Sequence, residues 1–391
     1  MKLKIKMFIS IVSLTLMFLS IFMLLQMYVT KDYTVSGQTA ETEKTAALHT
    51  TKPLLEVEKY YPKTTSATLV GMGDILIHDT VYNAARVEHN LYDFKPMLTK
   101  VKPLIEGADI AFANQETMIG GTELGLSSYP RFNSPYEVGD ALKDAGIDIV
   151  SMANNHTLDR GEIAIQNAIN YWNKLGVAYV GSYKSEADKE EIRILDANDI
   201  TFSFLAYTYG TNGIPIPTGK DYLVNLINLE AMKKEIERSK QLSDVTVVSI
   251  HFGNEYQRMP SDDQKNIVKQ LVDAGADIIL GHHPHVLQPV EWIEKENGGK
   301  AFVIYSLGNF ISGQRHPYRE IGGIVQLTVE KTGFADNYTI EIKNPTFLPT
   351  YVVNRKFTVI PLNEQYPLDS NIYKDIESHM KKWMPELAIL Q

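Results

Sequence analysis

Six apolar runs in this 391-residue chain end in polar tips whose residue types bind cations or move protons. In order, the tips present Asp74 and His78, then Asn114 and Glu116, then Asn154, Asn155, His156 and Asp159. His251 and Glu255 follow, then His282, His283 and His285, and last Asn309. Five of the ten histidines, at 156, 251, 282, 283 and 285, fall in this set, and His78 is a sixth. Carboxylate, amide and imidazole donors together suit a borderline divalent ion, Mn2+, Zn2+ or Fe2+, better than a Ca2+ site built only from oxygen. Each tip alone has a structural explanation: a turn after a strand, a loop whose amides satisfy backbone groups, a packed histidine. The repetition of such elements on successive strand ends changes the balance, because burying that many polar groups without a ligand is costly. A shared metal or anion site is the economical account.

The apolar runs themselves, ATLVGMGD, ADIAFANQE, IDIVSMANNH, VTVVSIHFGNEY, ADIILGHHPH and KAFVIYSLGNF, read as buried strands. Between them lie the amphipathic stretches YEVGDALKDAG, GEIAIQNAINYWNKLG, LEAMKKEIERSKQL and SDDQKNIVKQLVDAG, with helix stops expected at Gly146 and Gly275. Strands alternating with helices predict an α/β sheet whose strand ends gather on one edge, which is where open α/β sheets bind ligands. IRILDANDITFSFLAY reads as an inserted hairpin. Beyond residue 320, GGIVQLTVEK, NYTIEIKN and FTVIPL predict a mainly β continuation, closed by a helix near 370–384 that packs on the body.

Composition sets the outer bounds. Hydrophobic residues make up 44% and charged residues 22%, a globular balance that excludes a mostly disordered chain. There is no cysteine, so disulfides, thiolate metal sites, a cysteine nucleophile and a lipid-bearing cysteine are excluded. With 38 basic and 47 acidic residues the net charge is −9, which argues against a nucleic-acid-binding surface. Residues 7–29 carry no charge and would reach about 34 Å as a helix, with Lys2, Lys4 and Lys6 before them. The run exceeds a signal-peptide core and no small-x-small cleavage site closes it, so it is read as an uncleaved anchor. The positive-inside rule then places residues 1–6 in the cytoplasm and the body outside the cell membrane. Residues 30–66, rich in Thr and mixed charge, read as a flexible stalk. The body is expected over 67–330, with a β-rich extension and helix over 331–391.

In this order, GDILIH, NQE, SMANNHTLDRG, HFGNEY, GHHPHVLQP and YSLGNF closely resemble the capsule-synthesis CapA family, over roughly residues 68–315. Members of that family take part in making or exporting poly-γ-glutamate in Gram-positive bacteria. The family is in turn similar to calcineurin-like metallophosphoesterases, so the resemblance implies a metallophosphoesterase-like four-layer α/β sandwich behind an N-terminal transmembrane helix. Asp74 matches the first-strand aspartate of the phosphoesterase pattern, but its histidine two residues on is replaced by Leu76, and His78 comes later. Glu116 in NQE stands where a bridging aspartate is usual, and Asp159 is displaced from the usual adjacent acid. Asn155, His156 and His251 match, and His283 and His285 have the H-x-H spacing, with His282 as the other candidate after the glycine.

The resemblance therefore implies one or two divalent ions held by Asp74, Glu116, Asn155, His251 and one or two of His282, His283 and His285. In a hydrolase such an ion would lower the pKa of bound water from about 15.7 towards about 7. His156 would donate a proton to the leaving group, and Glu255, four residues past His251, would orient a ligand. Arg315 and Arg319 in QRHPYR could meet an anionic substrate. Three functional classes stay open. One is a membrane-anchored capsule assembly or export subunit, partnered by a ligase and integral-membrane synthase components and holding polyanionic poly-γ-glutamate. The others are an extracytoplasmic metal-dependent hydrolase and a non-catalytic scaffold of the same complex.

Overall fold

The computed structural model describes residues 62–391 apart from 297, 335 and 336. The expected anchor over 7–29 lies outside the described residues, and among those that are described no helix is long and apolar enough to cross a membrane.

Two sheets share the core. In the first, β1 (Lys63–Leu76), β4 (Ile110–Asn114), β5 (Ile149–Ser151) and β6 (Ala178–Val180) run parallel. Its other half is antiparallel: β14 (Ile321–Phe334), β15 (Asn337–Val352) and β16 (Val359–Pro361) follow outward from β1. The short strands β13 (Asn309–Ser312) and β17 (Ala388–Ile389) pair with β1 and β15. The second sheet has the order β11 (Leu287–Glu294), β12 (Lys300–Leu307), β10 (Ile278–His282), β9 (Val245–His251), β8 (Ile200–Thr208) and β7 (Arg193–Ala197). Its four inner strands are parallel, and β7 and β8 form the hairpin read from IRILDANDITFSFLAY. A small ribbon of β2 (Arg86–Glu88) and β3 (Leu91–Tyr92) stands apart.

The parallel strands carry continuous apolar runs because both of their faces are covered. Every residue of β4 and β9 is buried. The sheets meet face to face where Phe112 of β4 stacks on Phe204 of β8, with ring centroids 6.1 Å apart. Helices close the outer faces. Ala164, Ile165, Ala168, Ile169 and Trp172 form the buried stripe of helix Gly161–Leu175 over the first sheet, at the spacing one helix face requires. On the second sheet, Met232 and Ile236 of helix Leu229–Lys240 and Val268, Leu271 and Val272 of helix Asp262–Ala274 cover Val248, Ile250 and Ile279. The architecture is mixed α/β, with two sheets between helical layers. Gly146 and Gly275 follow helix ends as expected, at φ +96° and +117°, a conformation that favours glycine.

Two boundaries differ from those read in the sequence. Strand β1 begins at Lys63, inside the segment expected as stalk, because Lys63–Ser66 pair with residues 330–333 of β14. Strand β14 crosses the expected 330/331 boundary, so the C-terminal strands continue the body's first sheet. Composition alone hides both, since the pairing partners lie far apart along the chain. Helix Asn371–Met380 forms in the predicted region and buries Tyr373, Ile376 and Met380.

The two sheets are also tied by a polar link at Asp244. Its Oδ2 accepts from Thr201 N at 2.9 Å, Thr201 Oγ1 at 3.0 Å and Lys331 Nζ at 2.9 Å, joining the second sheet to β14 of the first. Burial opposes ionisation of this carboxyl, but the Tyr338 hydroxyl, the Thr201 N–H and Lys331 outweigh it and hold its pKa below the ordinary value. A depressed folded-state pKa stabilises above the unfolded value of about 3.9 and loses that contribution as pH falls through the folded value. Asp244→Asn is therefore expected to cost about 1–3 kcal/mol in denaturant unfolding at pH 7, and the gap from the parent should shrink as pH drops below about 4.

Candidate metal centre

The parallel strands of both sheets end at a common edge, and their register sets the tips side by side. Thr208 pairs with His251, and His251 with His282. Asp74 faces Asn114 on one side and Asn309 on the other. At this point β1 changes neighbour, pairing with β14 up to Met72 and with β13 from Asp74 onward. The exchange brings backbone so close that a Cβ on Gly73 would lie 2.0 Å from the Gly308 carbonyl oxygen. A Cβ on Gly281, just before His282, would lie 2.0 Å from the Tyr305 carbonyl oxygen. Only glycine permits these crossings, and Asp74 and His282 are set by them. Beyond β10, His283 and His285 hold φ +95° and +56° around Pro284, a strained backbone of the kind concentrated at functional sites. The loop after β9 is fastened to this turn by Tyr256 N donating to Pro284 O at 2.7 Å.

Three overlapping groups of side chains offer ligand atoms within 4.8 Å of one another: Glu116, His251 and His283; Asp74, Glu116 and His285; and Glu255, His283 and His285. Asp74, Glu116, His251, His283 and His285 are at most 4% exposed, whereas Glu255 stands exposed at the rim. His251 Nε2 lies 2.8 Å from Asn155 Oδ1 and 3.6 Å from Glu116 Oε1. His285 reaches Asp74 Oδ2 through Nδ1 at 3.1 Å and Glu116 Oε1 through Nε2 at 3.7 Å. Asn114 Nδ2 donates to Asp74 Oδ1 at 2.9 Å. The structure thus brings together Asp74, Glu116, Asn155, His251, His283 and His285. His282 belongs to none of the three groups and packs with Nδ1 3.5 Å from Asp74 Oδ1.

The donor set fits a cation. Both Glu116 oxygens and His283 Nδ1 are buried without a hydrogen-bond partner, as are both nitrogens of His282. A buried carboxylate with no donor is costly and is relieved by a metal ion. The electrostatics agree. Burial pushes the Glu116 carboxyl well above its ordinary pKa, aided by the charges of Asp74, Glu255 and Asp159 and opposed by His285. Burial also raises Asp74, but His282 and His285 overcome it and hold that carboxyl well below the usual range. Burial and His285 bring His283 down to about 4, and burial with His283 keeps His251 well below its ordinary value. Burial would lower His285 too, yet Glu116 and Asp74 hold it at about 9. Neutral imidazoles at 251 and 283 have the protonation state a metal ligand needs.

Beside this cluster opens a cleft of about 370 Å3 lined by Asn155, His156, Asp159, Asn212, Glu255 and the loop residues Tyr129, Pro130 and Arg131. His156 Nδ1 lies 2.7 Å from Asp159 Oδ2, which also accepts from Phe132 N at 2.7 Å. Phe132 packs edge-on against both His156 and His78, at 4.7 and 5.1 Å between ring centroids. The arrangement orients His156 from two sides. Arg315 is engaged elsewhere, donating to Val352 O at 2.8 Å with its guanidinium over Phe357. Arg319 stands over the Tyr256 ring, 3.4 Å from its centroid, and Tyr256 lies 6.2 Å from His285 between ring centroids. Sequence reading missed Arg131, Asn212 and Tyr209. Tyr209 follows the end of β8 and packs on His283 at 4.7 Å, so it obeys the strand-tip rule that found the others. Arg131 and Asn212 lie in connecting loops and carry no such signal.

A family model described as bacterial capsule synthesis protein PGA_cap matches residues 68–314. The chain is 32% identical over 278 residues to a capsule biosynthesis protein CapA of Bacillus anthracis, covering 68% of this chain and 65% of that one. It is 32% identical over 203 residues to a PGA biosynthesis protein CapA of Bacillus subtilis, covering 49% of this chain and 50% of that one. The chain therefore spans between half and two thirds of the length of these curated relatives. Among solved structures it overlaps a 5'-nucleotidase precursor from Thermus thermophilus at 13% identity and a TM-score of 0.38, covering 71% of this chain and 54% of that one.

The Glu116 carboxyl, buried without a hydrogen-bond donor, generates a paired expectation. Glu116→Gln replaces a buried carboxyl that has no hydrogen-bond donor, and whose ionisation burial already opposes, with a neutral amide of the same shape, so the metal-free variant should melt close to the parent temperature. Added Mn2+ should raise the melting temperature of the parent and raise that of the variant far less. Thermal unfolding with and without Mn2+ checks both halves.

Proposed function

The chain belongs to the bacterial capsule synthesis family, and from that membership we propose that it serves capsule synthesis outside the cell membrane, with its pocket holding one or two divalent ions that grip an emerging polyanion. The observation that carries this reading is the convergence of ligand atoms from Asp74, Glu116, His251, His283 and His285 at one sheet edge. Poly-γ-glutamate fits as the polyanion, because it presents a carboxylate per residue and one relative bears the name of a PGA biosynthesis protein. Residues 7–29 would hold the protein in the membrane by a single pass, beside a ligase and integral-membrane synthase subunits that deliver the chain.

Asp74, Glu116, His251, His283 and His285 would hold the ions, with Asn155 beside His251 and Glu255 at the rim. A bound divalent ion supplies positive charge that offsets the pocket's own carboxylates and attracts an oxyanion. The pocket's buried carboxylates alone would repel such a ligand, so ion and polymer are expected to bind together.

A second reading, a metal-dependent hydrolase acting on a phosphoester or on the γ-glutamyl polymer, has its own support in the His156–Asp159 pair. Asp159 faces Nδ1 at 2.7 Å, which leaves Nε2 as the nitrogen able to carry a proton into the cleft. In that chemistry Asp159 fixes the ring and steadies its charge, and His156 protonates the leaving oxygen or nitrogen. Both readings use one pocket, so genetics and chemistry must be read together.

Replacing His251→Ala and Glu116→Gln together is expected to abolish surface polymer while the protein stays folded and at its normal membrane level. Unchanged polymer in the folded double variant would remove the pocket from the function. The assembly reading expects no turnover of phosphoester or polymer by the parent. The hydrolase reading expects turnover that falls on the order of 10²-fold or more in His156→Asn.

A further inference from the structure

The cleft beside the metal cluster has one Arg or Lys among its lining residues, Arg131, and the other charged groups there are Asp159, Glu255 and, when protonated, His156. Arg131 is exposed and makes no ion pair or side-chain hydrogen bond with the described residues. Several other arginines of the body are spent on the fold. Arg160 donates to Gly125 O and Ser127 Oγ, Arg193 pairs with Asp188, and Arg258 pairs with Asp375 at 2.8 Å. Neither of the residues expected to meet an anion lines this cleft: Arg315 donates through Nη1 to Val352 O, and Arg319 lies over the Tyr256 ring.

The loop that presents Arg131 is braced rather than loose. Ser127 and Asn133 exchange backbone hydrogen bonds at 3.1 and 3.0 Å, and Arg131 N closes the turn onto Ser128 O at 3.1 Å. The Asn133 side chain donates to Gly121 O and Gly125 O and accepts from Gly120 N. The next residue, Phe132, donates its N–H to the same Asp159 oxygen that orients His156, and its ring packs on that histidine. The backbone at Arg131 is thereby tied to the His156 site through one peptide unit and one carboxylate. A charged side chain kept solvated without a partner, on a rigid loop above an otherwise acidic cleft, is placed to receive an anion. The guanidinium fork matches a pair of oxyanion oxygens, whether of a carboxylate or a phosphate.

We propose that Arg131 is the anion-reading residue of this cleft, binding an oxyanion of the substrate next to the group held at the metal cluster and His156. The proposal rests on the functional reading above and makes it more specific: the ligand carries a second negative group within reach of the cluster, as an acidic polymer or a phosphorylated compound does.

The test is calorimetric titration of the full chain loaded with Mn2+, using a γ-linked glutamate tetramer and inorganic phosphate as separate probes. Arg131→Ala should weaken binding of the recognised probe about tenfold or more without changing metal content. Arg131→Lys should recover part of that loss, because it keeps the charge and loses the fork. The probe that loses affinity identifies the source of the oxyanion. Equal affinity of parent and Arg131→Ala for every probe the parent binds would overturn the assignment and leave the functional reading standing. A metal-loaded parent that binds neither probe would overturn the functional reading and this assignment with it.

Discussion

Desolvating two carboxylates and several imidazoles at the edge where two sheets meet is the constraint on which the rest of this structure depends. Asp74 and Glu116 are wholly buried, and Glu116 has no hydrogen-bond donor at either oxygen. Left as such, the cluster would subtract from a folding free energy that is itself only about 5–15 kcal/mol for a typical domain. The chain compensates with large apolar interfaces on both faces of its parallel strands, with Trp172, Phe112, Phe204 and Phe302 all fully buried. The cluster is tolerated because the scaffold is large, and its donor set is of the kind that a bound cation would stabilise.

The same constraint explains the local geometry. Glycine at 73 and 281 lets backbones cross where side chains would collide, which sets Asp74 and His282 at the crossing. The left-handed conformations of His283 and His285 place two imidazoles into overlapping ligand groups from a single short turn. Asn155 and Asn114 steady His251 and Asp74 by contacts of 2.8 and 2.9 Å. The adjoining cleft is organised differently. There His156 and Asp159 line the wall beside Arg131, with Phe132 bracing them from behind, an arrangement for orienting a ligand rather than holding an ion.

Most of this site was legible as a rule about strand ends. Buried parallel strands read as unbroken apolar runs, so the first polar residues after each run lie at the sheet edge. Asp74, Glu116, Asn155, His251, His283 and His285 all came from that rule. The choice between His282 and His283 did not, because neighbouring strand residues face opposite sides and the sequence does not mark where β10 gives way to its turn. Long-range pairing was equally hidden. Lys63–Ser66 look like stalk by composition, yet they are strand because residues 330–333 lie beside them. Arg131 and Asn212 sit in loops with no periodicity, and only the folded chain shows that they face the same cleft. The arginines near 315 read as an anion site by charge alone, while the structure turns Arg315 to a backbone carbonyl.

The central claim is that the sheet-edge cluster is a cation site completed by metal. Anomalous X-ray diffraction from crystals of the Mn2+-loaded protein tests it most directly. The account predicts one or two anomalous peaks bounded by Asp74, Glu116, His251, His283 and His285. Stoichiometric Mn2+ bound at another place, with the Glu116 carboxylate still unliganded in its buried pocket, would contradict it.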